Sequence, residues 1–266
     1  MAFAEFDDVT LHYLDEGDPK GAPLVFAHAL GTGTVLWDAV VPLLPPGLRI
    51  IRYDARGHGQ SSCPPAPYSM GALVRDAERL MDHLGVRDAM FVGLSIGGMV
   101  AQGLAVKRPD LIRALVLSNT GAKIGTPKLW AERIATARNP GGMAELARGS
   151  CERWFTRSYL KENKHLPWYE HLCQHDPEGY VGCAAAISGT DFYTPTSGLR
   201  LPTLGIAGAE DGSTPPDLVR ETVDLIPGSR FELMRRTGHV PPIDQPEEYA
   251  RLLTEFLHGT GHILPV

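Results

Sequence analysis

Residues 89–106 read Ala89-Met90-Phe91-Val92-Gly93-Leu94-Ser95-Ile96-Gly97-Gly98-Met99-Val100-Ala101-Gln102-Gly103-Leu104-Ala105-Val106, eighteen positions without one charged side chain. That is about the length at which a membrane span becomes a candidate. Glycines at 93, 97, 98 and 103, together with Ser95 and Gln102, argue instead for a buried strand over 89–94, a sharp turn at Ser95 and a buried helix over 96–107. A strand that is apolar on both faces belongs to a parallel sheet covered on both sides. The stretch Gly93-Leu94-Ser95-Ile96-Gly97 is also the G-x-S-x-G pattern of a nucleophile elbow. A serine held at a tight strand-to-helix turn has a strained backbone, and glycines two residues to either side let neighbouring chain pass without a Cβ clash. The hydroxyl then stands clear of the sheet, and the helix that follows aims its first N–H groups at any oxyanion formed there.

The same strand–helix alternation extends in both directions. Strands are expected at 3–9, 10–14, 23–27, 48–53, 112–118, 202–207 and 230–234, with helices at 35–44, 69–84, 216–225 and 246–257. With the strand at 89–94 this predicts an α/β fold, a mostly parallel eight-stranded sheet flanked by helices. The alternation breaks once. Residues 122–190 have helical patterning and no convincing buried strand, Leu129, Trp130, Arg133, Ile134 and Ala137 recurring at helical spacing. The expected organisation is a core domain of residues 1–121 and 191–266 with a helical cap, or lid, inserted at 122–190.

Composition narrows the partners. The 266 residues carry 25 Lys plus Arg against 31 Asp plus Glu, a formal charge of −6, which excludes a basic nucleic-acid binder. A 43% hydrophobic and 21% charged composition is that of a globular protein rather than a disordered one. Cys63, Cys151, Cys173 and Cys183 form no C-x-x-C pair and no secretory leader opens the chain, so the expected setting is a reducing cytoplasm, with no membrane partner.

A serine hydroxyl is a weak nucleophile at neutral pH and needs a base and an orienting acid. In this kind of fold they follow the serine in the order acid, then histidine. Asp211 lies just beyond the strand expected at 202–207 and His239 just beyond that at 230–234, both at the carboxyl edge where parallel sheets assemble their sites. Glu210 competes with its neighbour for the acid, whereas Asn119 cannot serve as an anion. Of the other histidines, His28 and His58 are read as organisers of loops, and His12, His83, His258 and His262 as surface or helix positions. The oxyanion donors are expected to be the backbone N–H groups of Ile96, one residue past the serine, and Leu30, in the loop after the strand at 23–27. His171 and His175 stand four apart with Cys173 between them but lack a third ligand, so no metal is expected. Gly31-Thr32-Gly33 lacks the third glycine of a dinucleotide fingerprint and there is no P-loop, so no cofactor is expected.

These residues resemble the α/β-hydrolase superfamily across essentially the whole chain, and within it the 3-oxoadipate enol-lactonases. The resemblance is carried by His28-Ala29-Leu30-Gly31-Thr32, Arg52-Tyr53-Asp54-Ala55-Arg56-Gly57-His58-Gly59, Gly93-Leu94-Ser95-Ile96-Gly97-Gly98 and Ser118-Asn119-Thr120-Gly121-Ala122-Lys123-Ile124-Gly125. Trp130-Ala131-Glu132-Arg133 and Arg153-Trp154-Phe155-Thr156 extend it into the cap. Ala29 departs from the glycine often found after the loop histidine, and 139–142 follow no shared pattern. The resemblance implies a cofactor-free hydrolase that opens a small enol-lactone to 3-oxoadipate in aromatic catabolism, with Ser95, Asp211 and His239 as triad and Leu30 and Ile96 as oxyanion hole. General carboxylesterase or haloperoxidase-like perhydrolase chemistry would use the same residues, and a ligand receptor on the same fold is a more distant alternative.

Residues 122–190 hold nine basic against seven acidic side chains, so an overall acidic protein carries a slightly positive cap, which suits a small anionic substrate. Arg133 and Arg138 are the candidates for meeting a substrate carboxylate, and Trp130 either lines the same space or packs the cap.

Overall fold

The computed structural model describes residues 2–264. In chain order the strands are β1 (Ala2–Phe6), β2 (Val9–Gly17), β3 (Ala22–Ala27), β4 (Leu48–Tyr53), β5 (Ala89–Leu94), β6 (Ile112–Ser118), β7 (Thr203–Gly208) and β8 (Arg230–Met234). The helices are α1 (Met70–His83), α2 (Ile96–Lys107), α3 (Pro127–Ala137), α4 (Gly142–Trp154), α5 (Arg157–Lys161), α6 (Leu166–Cys173), α7 (Pro177–Ser188), α8 (Tyr193–Ser197), α9 (Pro216–Asp224), α10 (Pro241–Asp244) and α11 (Pro246–Gly259). The eight strands form one sheet in the order β1-β2-β4-β3-β5-β6-β7-β8. Only the β1–β2 and β2–β4 pairs are antiparallel. All the others are parallel.

The central strands are apolar throughout because both faces are covered. In β5, Ala89 and Phe91 pack with α1 and α2, whereas Met90, Val92 and Leu94 pack with Trp37 and the Tyr249, Leu253 and Phe256 face of α11. Helices α3 to α8 all fall between β6 and β7, where the alternation of the sequence breaks. The insertion is seated closely on the sheet's loops. A Cβ built on Gly179 of α7 would lie 2.0 Å from the carbonyl oxygen of Gly57, so the two backbones touch with no room for a side chain.

Three local expectations differ from the structure. The first hairpin turns at Asp7 and Asp8, pairing Phe6 with Val9, and β2 runs on to Gly17 because its second half pairs with β4. The helix expected over 35–44 is two short 3₁₀ turns, Thr34–Trp37 and Val41–Leu43. Pro42 has no N–H to continue a helix, and the Arg52 guanidinium takes the Thr34 carbonyl (3.0 Å) and the Asp38 carboxylate, anchoring this segment to β4. His12, read as a surface position, is buried in β2 with Nδ1 2.7 Å from Asp54 Oδ2. Its sequence neighbourhood shows no partner, since Asp54 lies at the end of another strand. Among the described residues no helix is long and apolar enough to cross a membrane.

Candidate functional site

The elbow is built as its glycines require. Ser95 sits between β5 and α2 with φ 58° and ψ −117°, a region that L-residues other than glycine rarely occupy. A Cβ on Gly93 would lie 2.2 Å from the Gly97 carbonyl oxygen, and one on Gly97 would lie 2.2 Å from that of Ala27. The turn is held on its far side by Thr120, whose Oγ1 donates to the Ser95 carbonyl at 2.6 Å. Ile96 is the first residue of α2, so its N–H has no carbonyl of its own helix to bond.

Asp211 and His239 meet at the carboxyl edge of the sheet. His239 Nδ1 lies 2.8 Å from Asp211 Oδ2, with both side chains almost completely buried. Oδ2 also accepts from Asn119 Nδ2 at 2.9 Å and Thr214 Oγ1 at 2.7 Å, while Oδ1 accepts from the Ser213 and Thr214 N–H groups at 2.7 and 2.9 Å. Burial alone would push the Asp211 carboxyl up. The neighbouring His239 charge and these donors outweigh it and hold the group below the ordinary carboxylate range. Asn119 is the residue sequence reasoning set aside because it is not an anion. Its use is as a donor that fixes the acid, and it also donates to the Gly238 carbonyl at 3.1 Å.

The insertion reaches these same loops. The Arg153 carbonyl accepts from Gly212 N–H at 3.0 Å and the Trp154 carbonyl from His239 N–H at 2.8 Å. The C-terminal end of α4 is therefore hydrogen-bonded directly to both the acid loop and the histidine loop. On the other side of the histidine loop, Asp244 Oδ2 accepts from Gly238 N–H at 2.7 Å and Thr237 Oγ1 at 3.0 Å.

Ser95, His239 and Leu30 line one cavity, roofed by Trp130 and Arg133 of α3 and Arg153 of α4. Trp130 is 3% exposed, its Nε1 donating to the Ile124 carbonyl at 2.7 Å, and the Arg133 guanidinium carbon lies 4.8 Å from the Trp130 ring centroid. Arg138, expected to meet a substrate carboxylate, does not reach this cavity. It is the exposed residue that ends α3 and takes no part in the cavity lining, because five residues beyond Arg133 is about 140° further round the helix. The second cavity arginine is Arg153 instead. Its Nε is buried with no hydrogen-bond partner among the described residues, and its guanidinium touches Ser150 Oγ at 3.3 Å. Burial, and then the charge of Arg133, push the Arg153 group below its ordinary value. Among the described residues neither guanidinium has a carboxylate within the 4.0 Å of an ion pair. The signal in the sequence was Arg153-Trp154-Phe155-Thr156, but nothing local says that its arginine turns inward.

His28 and His58 are buried in the loops after β3 and β4, and His175 is buried against His58 with ring centroids 4.2 Å apart. Among the described residues no group of three or more His, Cys, Asp or Glu side chains is placed to hold a metal ion.

The chain belongs to the α/β-hydrolase fold family, whose sequence profile matches residues 22–181. Within the hydrolases it is similar to 3-oxoadipate enol-lactonase 2 of Acinetobacter baylyi, with 31% identity over 244 residues and 91% of each chain covered. Two solved structures share the whole architecture. A hydrolase from Pseudomonas aeruginosa is 35% identical with a TM-score of 0.92, the match covering 96% of this chain and 97% of that one. The enol-lactonase from Burkholderia xenovorans LB400 is 32% identical, also with a TM-score of 0.92, over 96% of this chain and 99% of that one.

Proposed function

We propose that this protein is a serine hydrolase that opens a small enol-lactone carrying a free carboxylate, of the 3-oxoadipate enol-lactone kind, beneath a helical cap of residues 122–190. The observation that carries the reading is the pair of guanidiniums, Arg133 and Arg153, facing the cavity of Ser95 and His239 with no carboxylate among the described residues to neutralise them. Arginine stays charged in proteins, so two of them at one site call for an anion from outside. The same serine, acid and imidazole would serve general ester hydrolysis. It is the arginine pair that favours an anionic substrate.

In the proposed reaction His239 Nε2 takes the Ser95 proton as Oγ attacks the lactone carbonyl. Asp211 holds the imidazole with its other N–H directed at Oδ2 and stabilises the imidazolium. The negative charge that develops on the carbonyl oxygen falls to the N–H groups of Leu30 and Ile96. Collapse of the tetrahedral intermediate breaks the ring C–O bond, the enolate oxygen leaves and takes the proton from His239, and the enol tautomerises to the ketone. Water, giving its proton to His239, then attacks the acyl carbonyl; collapse of the second tetrahedral intermediate breaks the acyl–Oγ bond, and His239 returns the proton to Ser95. The reaction creates a second carboxylate, so a monoanionic substrate becomes a dianionic product beside two arginines.

Arg153→Ala and Arg133→Ala should each raise KM for a carboxylate-bearing enol-lactone by about 10- to 100-fold, the scale of a lost charge-assisted hydrogen bond, and change KM for the corresponding neutral methyl ester by less than about threefold. Steady-state kinetics on the two substrates reads the difference. Equal changes on both substrates would remove the support for an anionic substrate.

A further inference from the structure

Two buried histidines outside the serine–acid–imidazole line are arranged symmetrically about one residue. His28, in the loop after β3, accepts from the Ala55 N–H at Nε2 (2.9 Å), in the turn after β4. His58, in that turn, accepts in return from the Gly31 N–H at Nε2 (2.9 Å), back in the loop after β3. A backbone amide can only donate, so each Nε2 carries a lone pair and each ring keeps its single proton on Nδ1. That proton is also placed. His28 Nδ1 lies 2.8 Å from the Ala29 carbonyl oxygen, and His58 Nδ1 lies 3.2 Å from that of Arg56.

His28 Nδ1, on the Ala29 carbonyl, and His58 Nε2, on the Gly31 N–H, hold the two peptide planes that flank Leu30. The Ala29 carbonyl and the Leu30 N–H share one planar trans peptide and point in opposite directions. Three donors gather on that carbonyl: His28 Nδ1, the Thr32 N–H at 3.1 Å and Thr32 Oγ1 at 2.8 Å. With the oxygen pinned on one side, the Leu30 N–H is turned to the other. The next plane, between Leu30 and Gly31, is fixed by His58. Gly31 adopts φ +81°, and a Cβ there would lie 2.5 Å from Leu172 of α6, so the loop is closed from above by the insertion as well.

We propose that His28 and His58 are positioning residues, a reciprocal clasp that aims the Leu30 N–H at the oxyanion and works only while both imidazoles are neutral. The inference rests on the reading of Ser95 as nucleophile and Leu30 as oxyanion donor. A proton on His58 Nε2 would confront the Gly31 N–H donor to donor and release the second plane. The surroundings oppose that proton. His58 is faced by the His28 ring at 5.1 Å, the His175 ring at 4.2 Å and the Cys183 thiol, 3.9 Å from Nδ1, and among the described residues no carboxylate is hydrogen-bonded to it. His171 lies further out on α6, and Asp54 acts on the His28 side. Burial first, then the charges of His175 and His28, hold the His58 group well below the ordinary histidine value.

The test uses p-nitrophenyl acetate as substrate and phenylboronic acid as inhibitor, since the tetrahedral boronate places an oxygen where the oxyanion would sit. His58→Leu removes the acceptor and His58→Gln restores one that cannot be protonated. His58→Leu should lower kcat by about 100-fold, the scale of a lost oxyanion donor, with KM within about threefold and the boronate Ki raised in parallel with the loss in kcat. His58→Gln should recover at least about tenfold of both effects. A His58→Leu variant with parent kcat, a Gln variant that recovers nothing, or failure of both to fold would overturn the clasp. If only the Leu variant fails to fold, the Gln variant decides, a loss in kcat beyond about tenfold counting against the proposal. Ser95→Ala run alongside separates the two readings: activity in Ser95→Ala refutes the serine reading, whereas an inactive Ser95→Ala with a fully active His58→Leu refutes the clasp alone.

Discussion

Ser95→Ala is expected to lower kcat/KM for any ester or lactone substrate by at least about 10⁴-fold, because an acyl-transfer site without its nucleophile keeps only the contribution of binding and oxyanion donors. The fold should be unaffected, since the side chain makes none of the contacts that hold the turn. Those belong to its backbone, through Thr120 Oγ1 on the Ser95 carbonyl and Ser95 N–H on the Ser118 carbonyl. Ser95→Gly separates activity from stability further. With φ at 58° and ψ at −117°, the serine sits where only glycine is at ease, and such strain costs about 1 to 3 kcal/mol. Part of the relief is offset by the greater freedom of glycine in the unfolded chain, leaving a net gain of about 1 kcal/mol. The glycine variant should therefore be as inactive as the alanine variant and unfold at higher denaturant. A serine that could be replaced with no loss of turnover would be a structural residue of an unusual turn and no more.

The second large effect is at Asp211. Five donors converge on its two oxygens, and an asparagine offers one oxygen and an NH₂ group that confronts donors at the other position. Asp211→Asn should lower kcat by about 10³- to 10⁴-fold through loss of the His239 tautomer and of imidazolium stabilisation. It should also cost about 3 kcal/mol of stability at pH 7, as expected when one partner of a buried pair is removed. The pH dependence has a definite sign. The folded-state carboxyl of Asp211 lies below its ordinary value, so its contribution to stability is complete above the unfolded carboxylate pKa, near pH 4, and is lost as pH falls further. Urea unfolding of the parent should weaken through this acid range. The Asp211→Asn variant should show a smaller acid-dependent loss, and identical pH profiles would contradict the assigned electrostatics.

What could be read without coordinates follows from what each residue needs. The elbow was legible because its requirement is local: apolar residues on one side, an uncharged helix on the other, glycines at the two positions where a Cβ would lie 2.2 Å from a backbone oxygen. That Asp211 and His239 come together was legible because both follow strands of a parallel sheet and so share its carboxyl edge. The extension of β2 to Gly17 and the 3₁₀ turns within 34–43 were harder, since each is decided by a partner on another strand, β4 in both cases. Arg153 and Arg138 show the same limit within the insertion. Both are arginines on amphipathic helices, and only the orientation of α3 and α4 over the cavity sends one inward and the other to solvent. Asn119 illustrates a different omission. It was judged by the charge it lacks, although its donor groups fix the carboxylate and the histidine loop together.

The central claim is that the Ser95 hydroxyl attacks a carbonyl with His239 as its base. The most direct measurement is covalent trapping with a p-nitrophenyl alkylphosphonate, followed by intact mass and peptide mapping. One adduct per chain on Ser95, formed with release of one p-nitrophenol and abolished in His239→Ala, is the expected result. An adduct on another residue, or none from a fully active preparation, would contradict it.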